Sequence, residues 1–361
     1  MRIAFTIQHP SNVHFFRNAI GELREEGHEV FVFAREKSVA VPLLEAYDID
    51  HEVLADEPDG NLDLALTQLS YEYRMWRAFR RVKPDVVMSN MGLAATHAAK
   101  LTGAEARTFI DTETENATQN KLVVPFADEL YVPKWLRTDF GGRETRYDGM
   151  HEMAYTDPAW FEFDPSVLEA QGVDPDEPYY VVRFSAWEAH HDIGKRGFSP
   201  EGRERLVREL ADHGTVYVSD EAEGSIPEGG EPMPVDPHEF HHLLAGADGY
   251  VGEVATTTIE AALLGTPSVR VSPFVGTDGR LIYLGDEDLV ESFRPENEDA
   301  AFERAVELAA DDGAKAEWGE RREAFFDDAV DVTAFVVEHA TRATRTGAGG
   351  RRAAAPTGAD Q

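Results

Sequence analysis

The chain of 361 residues contains no cysteine, which excludes disulfides, thiolate metal sites and a cysteine nucleophile. Lysine is scarce: only Lys37, Lys83, Lys100, Lys121, Lys134, Lys195 and Lys315 occur. There is no basic stripe, so a nucleic-acid backbone is not the partner. No basic amphipathic helix is recognised that would point to docking at a membrane. No run of about 18 apolar residues passes without a charge, so no transmembrane helix is expected. The opening MRIAFTIQHP has one positive charge and too short an apolar run for a signal peptide, so the expected compartment is the cytoplasm. Three motifs are also missing. The G-x-x-x-x-G-K-[ST] loop, a G-x-G-x-x-G after the first strand and a G-x-S-x-G elbow would mark a P-loop, a dinucleotide site and a hydrolase nucleophile respectively.

What the chain does have is acid. Sixty-eight Asp and Glu stand against 34 Lys and Arg, a formal net charge of −34. With so little lysine, this is the composition of a surface built for a salt-saturated cytoplasm, where screening relieves self-repulsion. An acidic disordered chain is excluded by 42% hydrophobic and 10% aromatic residues.

Apolar periodicity alternates between strand and helix. Strands are predicted at 2–7, 29–34, near 51–54, 85–90, 106–111 and 129–133, with helices between them, the longest at about 62–82. Residues 134–178, rich in Gly, Pro, Asp and aromatics, read as a connector. Alternation resumes with strands at 179–187, 215–220, 248–253 and 268–271. Ser199-Pro200 and Asp236-Pro237 mark helix starts. From about 300 the chain is predicted helical to about 344. Such alternation implies parallel βαβ units and doubly wound sheets. The expected architecture is α/β, two Rossmann-like domains facing a cleft. They would span 1–165 (including the connector from about 134) and 175–320, followed by a C-terminal helix at 321–345 and a disordered tail at 346–361.

Ligands of open α/β sheets lie beyond the carboxyl ends of the strands. Those ends carry His9, Asn90, Asp111, Ser185, Glu221 and Gly252-Glu253. In GEVATTTIEAALLGTP, Thr256, Thr257 and Thr258 occupy the first turn of a predicted helix. Free N–H groups and the helix dipole make that turn an anion site, and Glu260 just beyond is placed to accept two sugar hydroxyls. The competing reading has the threonines cap the helix and Glu260 complement its dipole. His190, His191 and Asp192 suit acid/base or phosphate contact better than a metal, since adjacent histidines do not converge on one point; a solvated loop is the alternative. HEFHH at 238–242 matches the zinc-protease pattern formally, but it sits at the start of a short helix with no third ligand. Asp111, Glu113 and Glu115 follow a buried strand and are candidate general bases, or simply a solvated acidic loop.

Taken together, IQHPSNVHFFRNAIGELREEGHEV, SNMGLAATHAAKLTGA, FIDTE, YDGMHEMAY, VVRFSAWEAHHD and GEVATTTIEAALLGTP resemble the domain of unknown function family numbered 354, over about residues 1–328. The acidic composition suggests a halophilic archaeal member. The family is distantly similar to GT-B proteins, in which two Rossmann-like domains clamp a nucleotide-sugar. Among these, the non-hydrolysing UDP-N-acetylglucosamine 2-epimerases carry a Glu-Glu-Ala run ahead of Leu-Gly-x-Pro. Residues 260–267 look like that run, with Glu260 on the ribose-binding glutamate and Thr256–Thr258 in place of a Ser-Gly-Gly turn. His190-His191-Asp192 falls near the position of the epimerase His-Arg-Arg-Glu-Asn motif but lacks its arginines. The glycosyltransferases that add N-acetylglucosamine to lipid-linked precursors suggest a first-loop histidine as acceptor base, here His9 or His14.

The resemblance implies a glycosyltransferase using a nucleotide-diphosphate sugar, with sugar-nucleotide 2-epimerisation or binding without turnover as alternatives. It implies neither cofactor nor metal. Its partners would be the nucleotide-sugar, a sugar or lipid-linked acceptor, and a second copy in a homodimer. His9, Asp111, Glu113, His190, His191 and Asp192 are the candidate catalytic residues. His14, Asn90, Arg183, Ser185, Glu221, Thr256, Thr257, Thr258 and Glu260 are the candidate binding residues.

Overall fold

The computed structural model describes residues 1–55, 61–111, 117–186, 196–221 and 225–344. They divide into two compact units. One takes Met1–Val132, Thr138–Tyr147 and the chain from Thr333 onward; the other takes Pro133–Arg137 and Asp148–Val332. The connector is therefore shared between the units, and the last helix belongs to the first. Among the described residues no helix is long and apolar enough to cross a membrane.

The first unit runs β1 (Arg2–Ile7), α1 (Pro10–Glu25), β2 (Glu29–Arg35), α2 (Ala40–Ala46), β3 (Glu52–Ala55), α3 (Asn61–Val82), β4 (Val86–Asn90), α4 (Leu93–Thr102), β5 (Glu105–Phe109), α5 (Ala117–Val123), β6 (Glu129–Pro133) and β7 (Glu144–Tyr147). Its sheet has the order β3-β2-β1-β4-β5-β6-β7, and β1 to β6 pair in parallel. Strand β1 is buried along almost its whole length, as expected where helices cover both faces of a parallel sheet. Helix α1 starts at His9, whose Nδ1 accepts from the Ser11 amide, with Pro10 in its first turn; Gly27, at φ +82°, ends it. Strand β7 comes from the stretch read as connector.

The second unit contributes α6 (Met153–Thr156), α7 (Pro165–Ala170), β8 (Tyr179–Phe184), α8 (Pro200–Ala211), β9 (Thr215–Asp220), β10 (Gly230–Pro232), α9 (Phe240–Gly246), β11 (Gly249–Gly252), α10 (Ala255–Leu263), β12 (Ser268–Val271), α11 (Gly279–Asp286), β13 (Glu291–Phe293), a 3-10 turn (Pro295–Asn297), α12 (Glu298–Ala309) and α13 (Ala314–Asp327). Its parallel sheet has the order β10-β9-β8-β11-β12-β13. Ser199 caps α8 through the Gly202 amide, as its Ser-Pro signal predicts. The Asp236-Pro237 signal instead marks a turn, and α9 begins three residues later than that signal suggests, at Phe240. The two architectures are those expected of Rossmann-like domains, with helices following at the C-terminal end.

The final helix, α14 (Val332–Thr341), packs on the first unit's sheet. Phe335 meets Tyr131 at 5.6 Å and Phe109 at 6.4 Å between ring centroids. Beneath it lies Arg107, fully buried in β5. Its guanidinium bonds Glu105 at 3.1 Å, the Arg342 carbonyl at 2.9 Å and the His339 carbonyl. Glu129 takes the Tyr131 hydroxyl and the Arg342 guanidinium. Burial opposes ionisation of Glu129, but the Tyr131 hydrogen bond and the two arginines outweigh it and hold its pKa below the usual value. A buried charge of this kind is tolerated only with every partner in place.

Candidate functional site

In the second sheet the chain proceeds outward from β8 through β9 to β10, then returns to β11 on the other side. The switch point therefore lies between β8 and β11, where open α/β sheets present their crevice. Arg183, next to last in β8, is in register with Ser219 and Gly252. Its Nη1 donates to Thr257 Oγ1 at 3.3 Å and its Nη2 to Glu221 Oε1 at 3.2 Å. Ser185 Oγ lies 3.3 Å from Glu221 Oε2, and the guanidinium sits 5.8 Å from the Phe240 ring centroid. Four of the expected binding residues thus form one network at the sheet's carboxyl edge. The side chains of Arg183 and Glu221 are 30% and 37% exposed, so solvent and solutes reach them.

Helix α10 starts beside this network. Val254 at its N-cap offers no side-chain hydrogen bond, so among the described residues the first-turn N–H groups have no capping side chain. The threonines do not cap the helix. Thr257 is buried against Arg183, and Thr258 is fully buried and donates back to the Val254 carbonyl at 2.8 Å. Thr256 alone of the three keeps partial exposure. Glu260, one turn on, is buried among polar groups: its Oε1 accepts from the Tyr155 hydroxyl at 2.8 Å and lies 3.3 Å from His241 Nε2. A ribose would meet a carboxylate that already serves these two donors.

Glu253, at the end of β11, has a role that its sequence position did not disclose. Its Oε2 accepts from the Ser185 amide at 2.8 Å and Arg203 Nη2 at 3.0 Å, and its Oε1 from the Phe198 amide at 2.6 Å. A Cβ at Gly197 would lie 2.1 Å from Oε1, so the carboxylate fills the space left by that glycine. Arg203 also reaches Asp220 at 3.3 Å and the Ser185 carbonyl at 3.1 Å. Glu253 thereby ties together the flanks of the stretch that carries His190, His191 and Asp192; those three residues lie outside the described ones.

The YDGMHEMAY stretch also finds a structural use. Besides Tyr155, it supplies Glu152, which accepts from Arg280 Nη1 at 3.0 Å; Arg280 pairs with Asp278 at 2.9 Å. Burial works against ionising Asp278, but Arg280 prevails and keeps its carboxyl below the ordinary range. The neighbouring Arg270 is buried in β12, and its pKa is lowered to about 10 by that burial. Of the HEFHH residues, His241 faces Glu260 and His242 Nδ1 accepts from the Asp164 amide at 3.2 Å. No group of three His, Asp or Glu able to hold a metal occurs among the described residues.

In the first sheet the switch point falls between β1 and β4. The loop after β1 presents His9, whose ring bonds Ser11 Oγ at 2.9 Å. Desolvation first, then the charge of Lys37, lowers its pKa from 6.5, while Asp111 pulls the other way. His9 and Asp111 therefore share one electrostatic neighbourhood. Asp111 lies two residues past the end of β5, and Glu113 is outside the described residues. Asn90, ending β4, has a buried Oδ1 with no hydrogen-bond partner among the described residues. The turn after it is tight: Met91 has φ 47°, and a Cβ on Gly92 would come within 2.8 Å of Ser89 Cβ. His14 is buried in α1, with its Nδ1 3.3 Å from the Tyr47 hydroxyl.

A family model described as "Protein of unknown function (DUF354)" matches residues 1–292, and the chain belongs to that family. No curated protein matches it. Among solved structures it is similar to the UDP-GlcNAc 2-epimerase of Neisseria meningitidis bound to UDP-GlcNAc. The identity is 12% and the TM-score 0.66, over 94% of this chain and 99% of that one. It is similar to the glycosyltransferase VinC in complex with dTDP, with 15% identity and TM-score 0.60 over 94% and 98%. It also resembles MurG of Acinetobacter baumannii, with 14% identity and TM-score 0.55 over 94% and 99%. At these identities the likeness establishes the fold, the two-domain α/β architecture called GT-B.

Proposed function

We propose that this member of the family is a GT-B-type glycosyltransferase that uses a nucleotide-diphosphate sugar, held at the strand ends of its second unit. The observation that carries the reading is the Arg183–Thr257–Glu221–Ser185 network beside the uncapped first turn of α10. Arg183 and the N–H groups of that turn, with Thr256, receive the diphosphate. Glu260 takes the ribose hydroxyls by exchanging Tyr155 and His241 for them. In the reaction an acceptor hydroxyl attacks the anomeric carbon and the bond to the diphosphate oxygen breaks. The charge developing on the leaving diphosphate is met by Arg183 and the helix terminus. The acceptor proton passes to a base, for which the first unit offers His9 beside Asp111. His9 suits this because its lowered pKa keeps the ring neutral at pH 7. Glu113, His190, His191 and Asp192 remain candidates. The net charge of −34 with seven lysines supports a halophilic origin and a salt-rich working medium, so binding is measured in high salt.

A thermal-shift screen of UDP- and dTDP-sugars tests the reading. A ligand at a hundred times its dissociation constant should stabilise the fold by about 2.7 kcal/mol. Arg183→Ala should weaken binding by about tenfold or more, the value of a lost charge-assisted hydrogen bond. If no nucleotide-sugar shifts the melting curve, or if Arg183→Ala binds as well as the wild type, the proposal fails. Sugar-nucleotide 2-epimerisation is kept as a second reading, because Glu260 stands in an epimerase-like run and Asp111 just beyond a strand end. Exchange of the sugar C2 proton with deuterated solvent, without acceptor, would identify it. Binding without product or exchange would instead mark a sugar-nucleotide binding protein.

A further inference from the structure

The outer faces of α3, α4 and α5 carry an arrangement that the nucleotide-sugar reading does not use. The inner face of α3, with Tyr71, Met75 and Phe79, is buried against the first sheet. Its outer face exposes Leu69 (64%) and Tyr73 (57%), with Trp76 half-buried beside them. Arg80 stands 5.0 Å from the Trp76 ring centroid, and Arg77 stands 6.0 Å from that of Tyr73. His97 of α4 bonds Glu72 of α3 at 3.3 Å and the Leu122 carbonyl of α5 at 3.1 Å, so the three helices lie side by side. One turn beyond His97, α4 exposes Leu101 (73%) next to Lys100; α5 exposes Leu122 next to Lys121.

The charge of this surface is opposite to that of the rest of the chain. Residues 69–103 and 117–127 hold seven basic residues against two acidic ones, in a chain of formal net charge −34. Arg77, Arg80, Lys83, Lys100 and Lys121 form no ion pair with a described carboxylate. Three of the chain's seven lysines lie here. Protein interfaces are depleted in lysine, whereas anionic headgroups attract it, and tryptophan and tyrosine favour the depth where headgroups meet acyl chains. Large apolar side chains set among unpaired cations match an interfacial helix surface. We propose that this face docks on an anionic lipid bilayer, with Tyr73, Trp76 and Leu101 entering the headgroup layer and the basic residues meeting the phosphates. In a salt-rich medium of about 1 M the Debye length is about 3 Å, so the bilayer is felt only by the patch touching it and not by the distant acids. The sequence had shown no basic amphipathic helix because α3 is apolar on two sides; the structure buries one of them and leaves the other bare. The proposal goes beyond the nucleotide-sugar reading and stands whether or not that reading holds.

The test is flotation of the full chain with vesicles of phosphatidylcholine, with and without phosphatidylglycerol, alongside tryptophan emission. Binding should require the anionic lipid and weaken as salt is raised. The R77Q/R80Q double variant should bind about 25-fold more weakly, from about 1 kcal/mol per basic residue at the surface. Tyr73→Ser with Leu101→Ser should weaken binding too. An unchanged melting curve shows that each variant is folded. Three results would overturn the proposal: no binding by the wild-type chain to phosphatidylglycerol vesicles, equal binding by the variants, or a lipid-free dimer that R77Q/R80Q dissolves, since a second copy would then be the occupant.

Discussion

Replacing Glu253 with glutamine keeps the shape of the side chain, removes its charge and turns one acceptor oxygen into an NH2 donor. The wild-type carboxylate has no solvent exposure and takes three described donors: the Phe198 amide on Oε1, and the Ser185 amide and Arg203 on Oε2. The glutamine NH2 must replace one of the two oxygens. The cheaper orientation turns it toward Phe198, which leaves the Phe198 N–H without an acceptor and sets the two buried N–H groups of the new amide against it, at about 1–3 kcal/mol for the lost bond alone. Arg203 then faces a neutral carbonyl, roughly half as strong a partner as a carboxylate, which adds about 1 kcal/mol. The total is at least about 2–4 kcal/mol, a large fraction of a typical domain's stability of about 5–15 kcal/mol. Urea unfolding followed by tryptophan emission reads it, because four of the five tryptophans belong to the second unit. With a slope of about 1–3 kcal/mol per molar urea, the midpoint should fall by about 1–2 M. Gly197→Ala drives a methyl group into the same carboxylate, so its effect and that of Glu253→Gln should be less than additive. A midpoint unmoved by Glu253→Gln would refute the reasoning, for it would mean that these donors are satisfied some other way.

Arg107→Ala should cost about 3–5 kcal/mol in chemical unfolding, since it removes the buried cation that Glu105 and Glu129 share and leaves Glu129 with Arg342 alone; Arg107→Met should cost less than Arg107→Ala by retaining the packing. Lys315 is half-buried, its ammonium donating to the Ala245 and Ala247 carbonyls and Thr266 Oγ1, at 2.7, 2.8 and 2.9 Å. Desolvation outweighs the pull of Asp248 and lowers its pKa to about 7. The folded state therefore binds this proton less readily than the unfolded chain, and stability should rise from about pH 7 towards 10, by up to about 1.4 kcal/mol per unit. Denaturation at several pH values should show that rise and its loss in Lys315→Met. If His9 is the acceptor base, activity should fall on the acid side only below pH 6.5, because its pKa is lowered, and His9→Gln should abolish turnover while donor binding persists; an acid limb above 6.5 would count against it.

Most elements were legible because buried parallel strands read as short apolar runs and surface helices as 3.6-residue periods. Strand β1 and the Ser199-Pro200 start of α8 are instances. The three-residue strands β10 and β13 were not, since pieces so short carry no period. Arg183, Ser185, Glu221 and Thr257 could be named from their places at strand ends and a helix start, where topology brings them together. Asp236-Pro237 misled because an Asp-Pro pair starts a turn as readily as a helix. The roles of Glu253, noted only as a strand end, and of Arg107 escaped notice because what defines them is partners far away in sequence, 50 residues off at Arg203 and 232 at the His339 carbonyl. In so acidic a chain, nothing local distinguishes a carboxylate that organises a loop from one that merely faces water.

The return of α14 to the first sheet bears on how the protein is made. Arg107 emerges from the ribosome long before the His339 and Arg342 carbonyls that complete its cage. Until those last residues arrive, β5 holds a cation whose final neighbours do not yet exist. The unit that is translated first is therefore finished last. A shortened chain ending before α14 should leave that sheet face bare and the guanidinium stranded, even though every strand of the sheet is present.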